Sequence, residues 1–177
     1  MKLPTYLAAA ALAAACGHAA AENVNASFLL NGSPPLQTGA YSVTHMQSGA
    51  FTDTITFAPN VGLSFVDASL ITIGLDATNI DLTSVMLGFE PMTVTSSSGG
   101  LVEMAAVYHA DAMGILQITV NGWAGPTGGA SGLPVNAVYA GTLNVAAVPE
   151  PASYGMLLGG LGVLGWLARR RSAGEAA

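Results

Sequence analysis

The chain has 177 residues, 51% of them apolar and only 8% charged, with a formal net charge of −6; its four basic residues are Lys2, Arg169, Arg170 and Arg171, all near the ends. From Glu22 to Val148 there is no Lys, Arg or Cys, against eight acidic residues, so this stretch carries a formal charge of −8. Nucleic-acid binding is thereby excluded, because neutralising phosphate needs Lys and Arg, and charge-driven binding to anionic lipid or acidic polysaccharide fails for the same reason. Without cysteine the region cannot rely on disulfides and must be held by packing, for which about 127 residues suffice.

At the N-terminus, Lys2 supplies a positive flank, Leu7–Cys16 an apolar run, and Ala19-Ala20-Ala21 a small-residue cleavage site. Residues 1–21 therefore read as a signal peptide, with Ala19 and Ala21 framing the cut and Glu22 as the mature N-terminus. Cys16 admits a lipoprotein signal as a second reading. Ala13 stands three places before it, where a leucine-like residue is wanted, and Leu12 is one place too early.

Residues 22–147 show a period of two. Phe51, Asp53, Ile55 and Phe57 alternate with Thr52, Thr54 and Thr56; Ile71, Ile73 and Leu75 with Thr72 and Gly74; Leu116, Ile118 and Val120 with Gln117 and Thr119. Such alternation predicts strands. Further strands are expected at 26–30, 40–47, 80–89, 101–108 and 139–147, broken by Gly32-Ser33-Pro34-Pro35, Pro59-Asn60, Ser96–Gly100 and Gly125–Gly132. About eight short strands at this spacing predict an all-β exported domain, an antiparallel β-sandwich of jelly-roll or immunoglobulin-like type.

Asp53 shares its face with Phe51, Ile55 and Phe57, so it is expected to be at least partly buried and to accept hydrogen bonds from backbone N–H groups of an adjoining turn. A cation ligand and a catalytic carboxylate are the other readings of it. Asp76-Ala77-Thr78-Asn79-Ile80-Asp81 offers clustered oxygen side chains, but it lacks the glycine and distal glutamate of an EF-hand loop, and turn-forming Asx residues explain it equally well. His109 and Asp111 would share a face of one strand, and His45 and His109 are read as surface or edge residues. No Gly-x-Ser-x-Gly elbow, His-x-x-x-His or Cys-x-x-Cys spacing is present. No catalytic residue, metal or cofactor is expected, and the protein is read as not an enzyme.

From Val148 to Ala177 the chain changes character: Val148-Pro149-Glu150-Pro151, an uncharged apolar stretch from Ala152 to Ala168, then Arg169-Arg170-Arg171. The stretch is 17 residues, about 26 Å of helix against a hydrocarbon core of roughly 30 Å. It is read as a transmembrane helix, just long enough, with the arginines holding the C-terminus in the cytoplasm and Tyr154 and Trp166 near the two interfaces.

Pro149-Glu150-Pro151, the short span and the arginine cluster resemble the PEP-CTERM sorting signal of exopolysaccharide-producing Gram-negative bacteria. Gly49–Phe57 resembles the signature of a subgroup named for an F-x-D-x-F pattern, with Phe51 and Asp53 in place and Ile55 where the second aromatic would stand. The likeness extends loosely to Tyr139-Ala140-Gly141-Thr142-Leu143, and the architecture is similar to small β-sandwich domains appended to secreted peptidases. The resemblance implies an exosortase-type membrane protease as partner and an inner-membrane precursor later sorted to the cell surface or extracellular matrix. Extracellular polysaccharide is the second expected partner, and the expected role is structural or interactive, in exopolysaccharide or biofilm. The alternative is a carbohydrate-binding module in which Trp123 or Tyr108 stacks on a sugar.

Overall fold

The computed structural model describes residues 21–149 and 151–174, without the side chains of 98, 151–152 and 168–174. The expected signal segment with Ala19, Glu150 of the sorting motif, and the side chains of Arg169–Arg171 lie outside the described residues. Among the described residues, nine strands and two short 3-10 turns precede one α-helix: β1 (Asn25–Leu29), β2 (Asn31–Ser33), β3 (Leu36–Gln47), β4 (Gly49–Ile73), β5 (Ile80–Leu87), β6 (Glu90–Pro91), β7 (Thr93–Ser96), β8 (Val102–Ala124), β9 (Pro134–Ala147) and α1 (Pro151–Gly174). The strands form one sheet in the order β2-β3-β9-β4-β8-β5-β6, with β1 beside β4 and β7 beside β8. The pairing is antiparallel throughout, except that β1 runs parallel to β4.

Two strands are far longer than their sequence suggests. The runs at 51–57 and 71–75, the latter only as far as Ile73, belong to one strand of 25 residues, and those at 101–108, from Val102 on, and 116–120 to one of 23. Pro59-Asn60 does not end β4, because the register slips between Phe57 and Val61 and again before Ser64 while pairing with β8 resumes on either side. Opposite, Gly114 takes φ +87, a left-handed conformation that favours glycine. The irregularity is bulge-like, and the stretches on its two sides pair with different neighbours, which divides the sheet into two leaves. One leaf holds β2, β3, β9, β7 and residues 64–73 and 102–112; the other holds β1, β5, β6 and residues 49–57 and 114–124.

The leaves face each other through the alternate residues. Tyr41 of β3 meets Phe57 of β4 edge-on at 5.7 Å, and Ile55, Val66, Ile80, Ile118, Val120, Tyr139 and Leu143 are fully buried between them. The domain thus has two ends. At the bulge end the chain leaves β9, Val148 N–H donating to Leu63 O at 2.9 Å. At the far end lie the loops around 74–79, 97–101 and 125–133, joined by Gly125 N–H to Asn79 O at 2.8 Å and Gly74 N–H to Leu101 O at 3.0 Å.

The expected C-terminal helix is present, and α1 has 24 residues. The expected span is not shown by the structure: among the described residues no helix is long and apolar enough to cross a membrane. Gly155, Gly159, Gly160, Gly162 and Gly165 dilute an uncharged stretch of 17 residues that already falls below the roughly 20 needed.

Candidate functional site

The fourth strand carries Phe51, Asp53, Ile55 and Phe57 inward, as alternation requires, and all four are buried. The Asp53 carboxylate lies between the leaves and accepts three hydrogen bonds: from Tyr139 Oη to Oδ2 at 2.6 Å, from His45 Nε2 to Oδ2 at 3.0 Å, and from the Val24 backbone N–H to Oδ1 at 2.8 Å. The backbone donor expected from an adjoining turn comes instead from the segment just before β1, where Asn23 Oδ1 also accepts the Thr52 N–H at 2.8 Å. A buried carboxylate so satisfied is a staple joining β3, β4, β9 and the start of the exported domain.

His45 was read as a surface or edge residue. It is fully buried, on the inner face it shares with Tyr41 and Val43, and that period-two spacing is the signal that places it there. Its ring stacks on Phe51 with centroids 4.1 Å apart, and its Nδ1 has no partner. Tyr139, 86 residues from Asp53, was missed because nothing local ties the two together. Ala21, at the expected cut, is also buried.

Burial, then the hydrogen bond and charge of Asp53, push the Tyr139 phenol far above its ordinary 10.0, and burial pushes Tyr41 the same way. Both stay protonated in the fold where an unfolded chain would ionise. Their contribution is therefore intact below about pH 10 and lost above it, at about 1.4 kcal/mol per pH unit for each tyrosine. Urea unfolding midpoints should hold constant from pH 8 to 9.5 and fall steeply beyond. Tyr41→Phe should halve the slope, and an equally flat profile at pH 11 would contradict the burial of both phenols.

The remaining candidates are occupied by structure. Asp81 takes Asn79 Nδ2 on Oδ1 at 2.9 Å and the Thr127 hydroxyl on Oδ2 at 2.8 Å, so the oxygens of the 76–81 loop brace the far end. Among the described residues no group of three or more His, Cys, Asp and Glu side chains is placed to hold a metal. His109 turns to Asp67 rather than to Asp111: its backbone N–H donates to Asp67 Oδ1 at 2.8 Å, and its Nδ1 lies 3.8 Å from the same oxygen. Trp123 is half-buried with its indole N–H on Pro126 O at 3.1 Å, whereas Tyr108 is 74% exposed.

At the other end of the chain, the described side chains of α1 from Ser153 to Leu167 are all exposed, among them Met156, Leu157, Leu158, Leu161, Val163 and Leu164. Residues 147–171, from the last residue of β9 through the arginines, match the PEP-CTERM protein-sorting motif. The chain carries an exosortase sorting signal. That signal marks an exported protein with a membrane-anchored precursor, and the matched segment includes Val148, Pro149, Glu150, Pro151, Arg169, Arg170 and Arg171. No curated protein matches the chain.

Among solved structures, a mutant of PliG-Ec, a periplasmic inhibitor of g-type lysozyme from Escherichia coli, is 13% identical over 70% of this chain and 99% of that one, with a TM-score of 0.35. The pre-peptidase C-terminal domain of a Bacillus anthracis collagenase is 12% identical over 71% and 95%, with a TM-score of 0.33. The Clostridium stercorarium module CsCBM6-3, solved with cellobiose, is 14% identical over 66% and 86%, with a TM-score of 0.24. At such scores these likenesses carry no argument about ligand or activity.

Proposed function

We propose that the protein is a non-enzymatic surface or matrix component of the F-x-D-x-F type. After removal of the signal peptide its β-sandwich folds outside the inner membrane, α1 holds the precursor there, and an exosortase-type protease processes it at the Pro-Glu-Pro motif. The freed domain then takes a structural or interactive role in exopolysaccharide or biofilm. The match at residues 147–171 carries this reading, and the exposed apolar side chains of α1, which water does not favour, support it.

Glu150 is the one charge between the β domain and the uncharged stretch, and the prolines flanking it favour an extended substrate. Glu150→Ala leaves the apolar segment and the cytoplasmic arginines untouched. The uncleaved precursor should accumulate in the inner membrane, as read by fractionation and mass spectrometry of the C-terminus. Release at the normal rate with the same mature C-terminus would mean that the tail is only an anchor.

A carbohydrate-binding role is the second reading, favoured by one observation. Tyr108 stands exposed beside an open groove of about 510 Å³ with Glu90, Thr93 and Thr95, an aromatic face with polar groups suited to a neutral sugar. On a glycan array Tyr108→Ala should lose any signal by at least tenfold; an array without signal for either protein would leave the structural role alone.

A further inference from the structure

We propose that the bulge end of the β domain is a lipid-contacting rim, on which the domain rests against the outer face of the inner membrane while the precursor is anchored. This rests on the membrane-anchored precursor of the preceding reading. The last hydrogen bond before the helix, Val148 N–H to Leu63 O, lies three residues ahead of Pro151. Three extended residues reach about 10 Å, so a bilayer that holds α1 also faces this end of the domain.

Five apolar side chains stand out of the protein there: Phe89 is 100% exposed, Met113 76%, Leu36 67%, Ile115 64% and Leu63 57%. The sheet itself gathers them. Val61 pairs with Gly114, which sets Met113 and Ile115 beside the β4 bulge next to Leu63. Gly88 N–H bonds Gln117 O at 2.8 Å and brings Phe89 alongside, the three lining a common cavity of about 170 Å³. Leu36 pairs with Ala146, just before the exit. At the far end Ile73, Met46, Leu75, Leu133 and Leu101 are also exposed, at 64%, 59%, 54%, 47% and 44%, but they sit among the glycine-rich loops and Asp81 rather than around a chain exit.

Charge selects the kind of surface. The nearby ionisable groups are Glu90 and Asp111, the exposed His109–Asp67 pair in the groove it shares with Leu36, and in sequence Glu150, while the exported region has no Lys or Arg. Contact is therefore made by apolar side chains, and its partner is a zwitterionic rather than an anionic lipid face. The helix gives a reason for it. A short, glycine-diluted α1 holds weakly, and apolar contacts next to its entry add to that hold.

The test uses the full chain with Cys16→Ala, reconstituted into phosphatidylcholine vesicles, with one cysteine at a time carrying an environment-sensitive fluorophore. The positions are Phe89→Cys for the rim, Ala130→Cys for the far end and Leu158→Cys for the helix. Nitroxide lipids should quench the labels at 89 and 158 severalfold more than the label at 130. Quenching at 158 with none at 89 overturns the rim and leaves the anchor standing, whereas no quenching at 158 overturns the anchor itself. A blue shift at 89 that depends on protein concentration and not on lipid would assign the patch to a second copy and overturn the proposal. In the exposed background Phe89→Asp/Met113→Asp, with an unchanged far-ultraviolet spectrum, a label at Ile115→Cys should fall to the level of 130.

Discussion

Asp53→Ala is expected to lower the stability of the β domain by about 3 kcal/mol or more, because it strips three buried donors of their acceptor, and so to remove a large part of the total of a typical domain. The substitution leaves three donors facing an apolar cavity: the Tyr139 hydroxyl, the His45 Nε2 and the Val24 N–H. Each costs about 1–3 kcal/mol when buried without an acceptor. Asp53→Asn should fall between the two, because its remaining oxygen can keep Val24 while its amide can donate to a His45 whose proton has moved to Nδ1, the atom that now has no partner. Urea unfolding followed by far-ultraviolet circular dichroism reads the order wild type, Asn, Ala. Hydrogen exchange should rise first in residues 23–29, since the carboxylate pins the chain just after the expected cleavage site. An unchanged midpoint for Asp53→Ala would remove the staple from the account.

The alternating strands were legible because one face of each is buried and the other wet: Phe51, Asp53, Ile55 and Phe57 point inward as read. The sorting block was legible because its chemistry is linear, with motif, apolar run and arginines consecutive in the chain. What escaped the sequence depends on pairing over long separations. Pro59-Asn60 looked like the end of a strand, and only the partner β8, through Gly114, carries the ladder past it. The Gly32-Ser33 turn signal hid the short β2, and β6 and β7 were too brief to show a period. His45 and Asp53 are eight residues apart on strands that do not pair with each other, so their contact across the leaves has no local trace. The apolar run from Ala152 to Ala168 is helical as expected, though α1 extends beyond it to 24 residues, and its apolarity, diluted by five glycines, does not provide a span among the described residues.

Gly141→Ala should destabilise the domain by about 3 kcal/mol or more, at the upper end of overpacking effects. Gly141 pairs with Tyr41 on one side and Leu70 on the other, in the middle of three strands. A Cβ there would stand 2.3 Å from Ser69 O and 2.4 Å from Tyr41 Cζ and Oη. The tyrosine ring covers the bare glycine and its hydroxyl donates to Ser69 O at 3.3 Å, so the missing side chain is what lets the ring lie down against the strand. Adding Tyr41→Ala to Gly141→Ala would free the ring's place but not the backbone oxygen, which is fixed by the ladder; the double variant should stay well below wild type. Gly62→Ala is the control, since nothing lies within 4 Å of its Cβ and its φ is not in the left-handed region, and it should change the midpoint by less than about 1 kcal/mol. Equal midpoints for the Gly141 and Gly62 variants would mean that Tyr41 moves aside at no cost and that the close approach at Gly141 does not hold β3, β9 and β4 together.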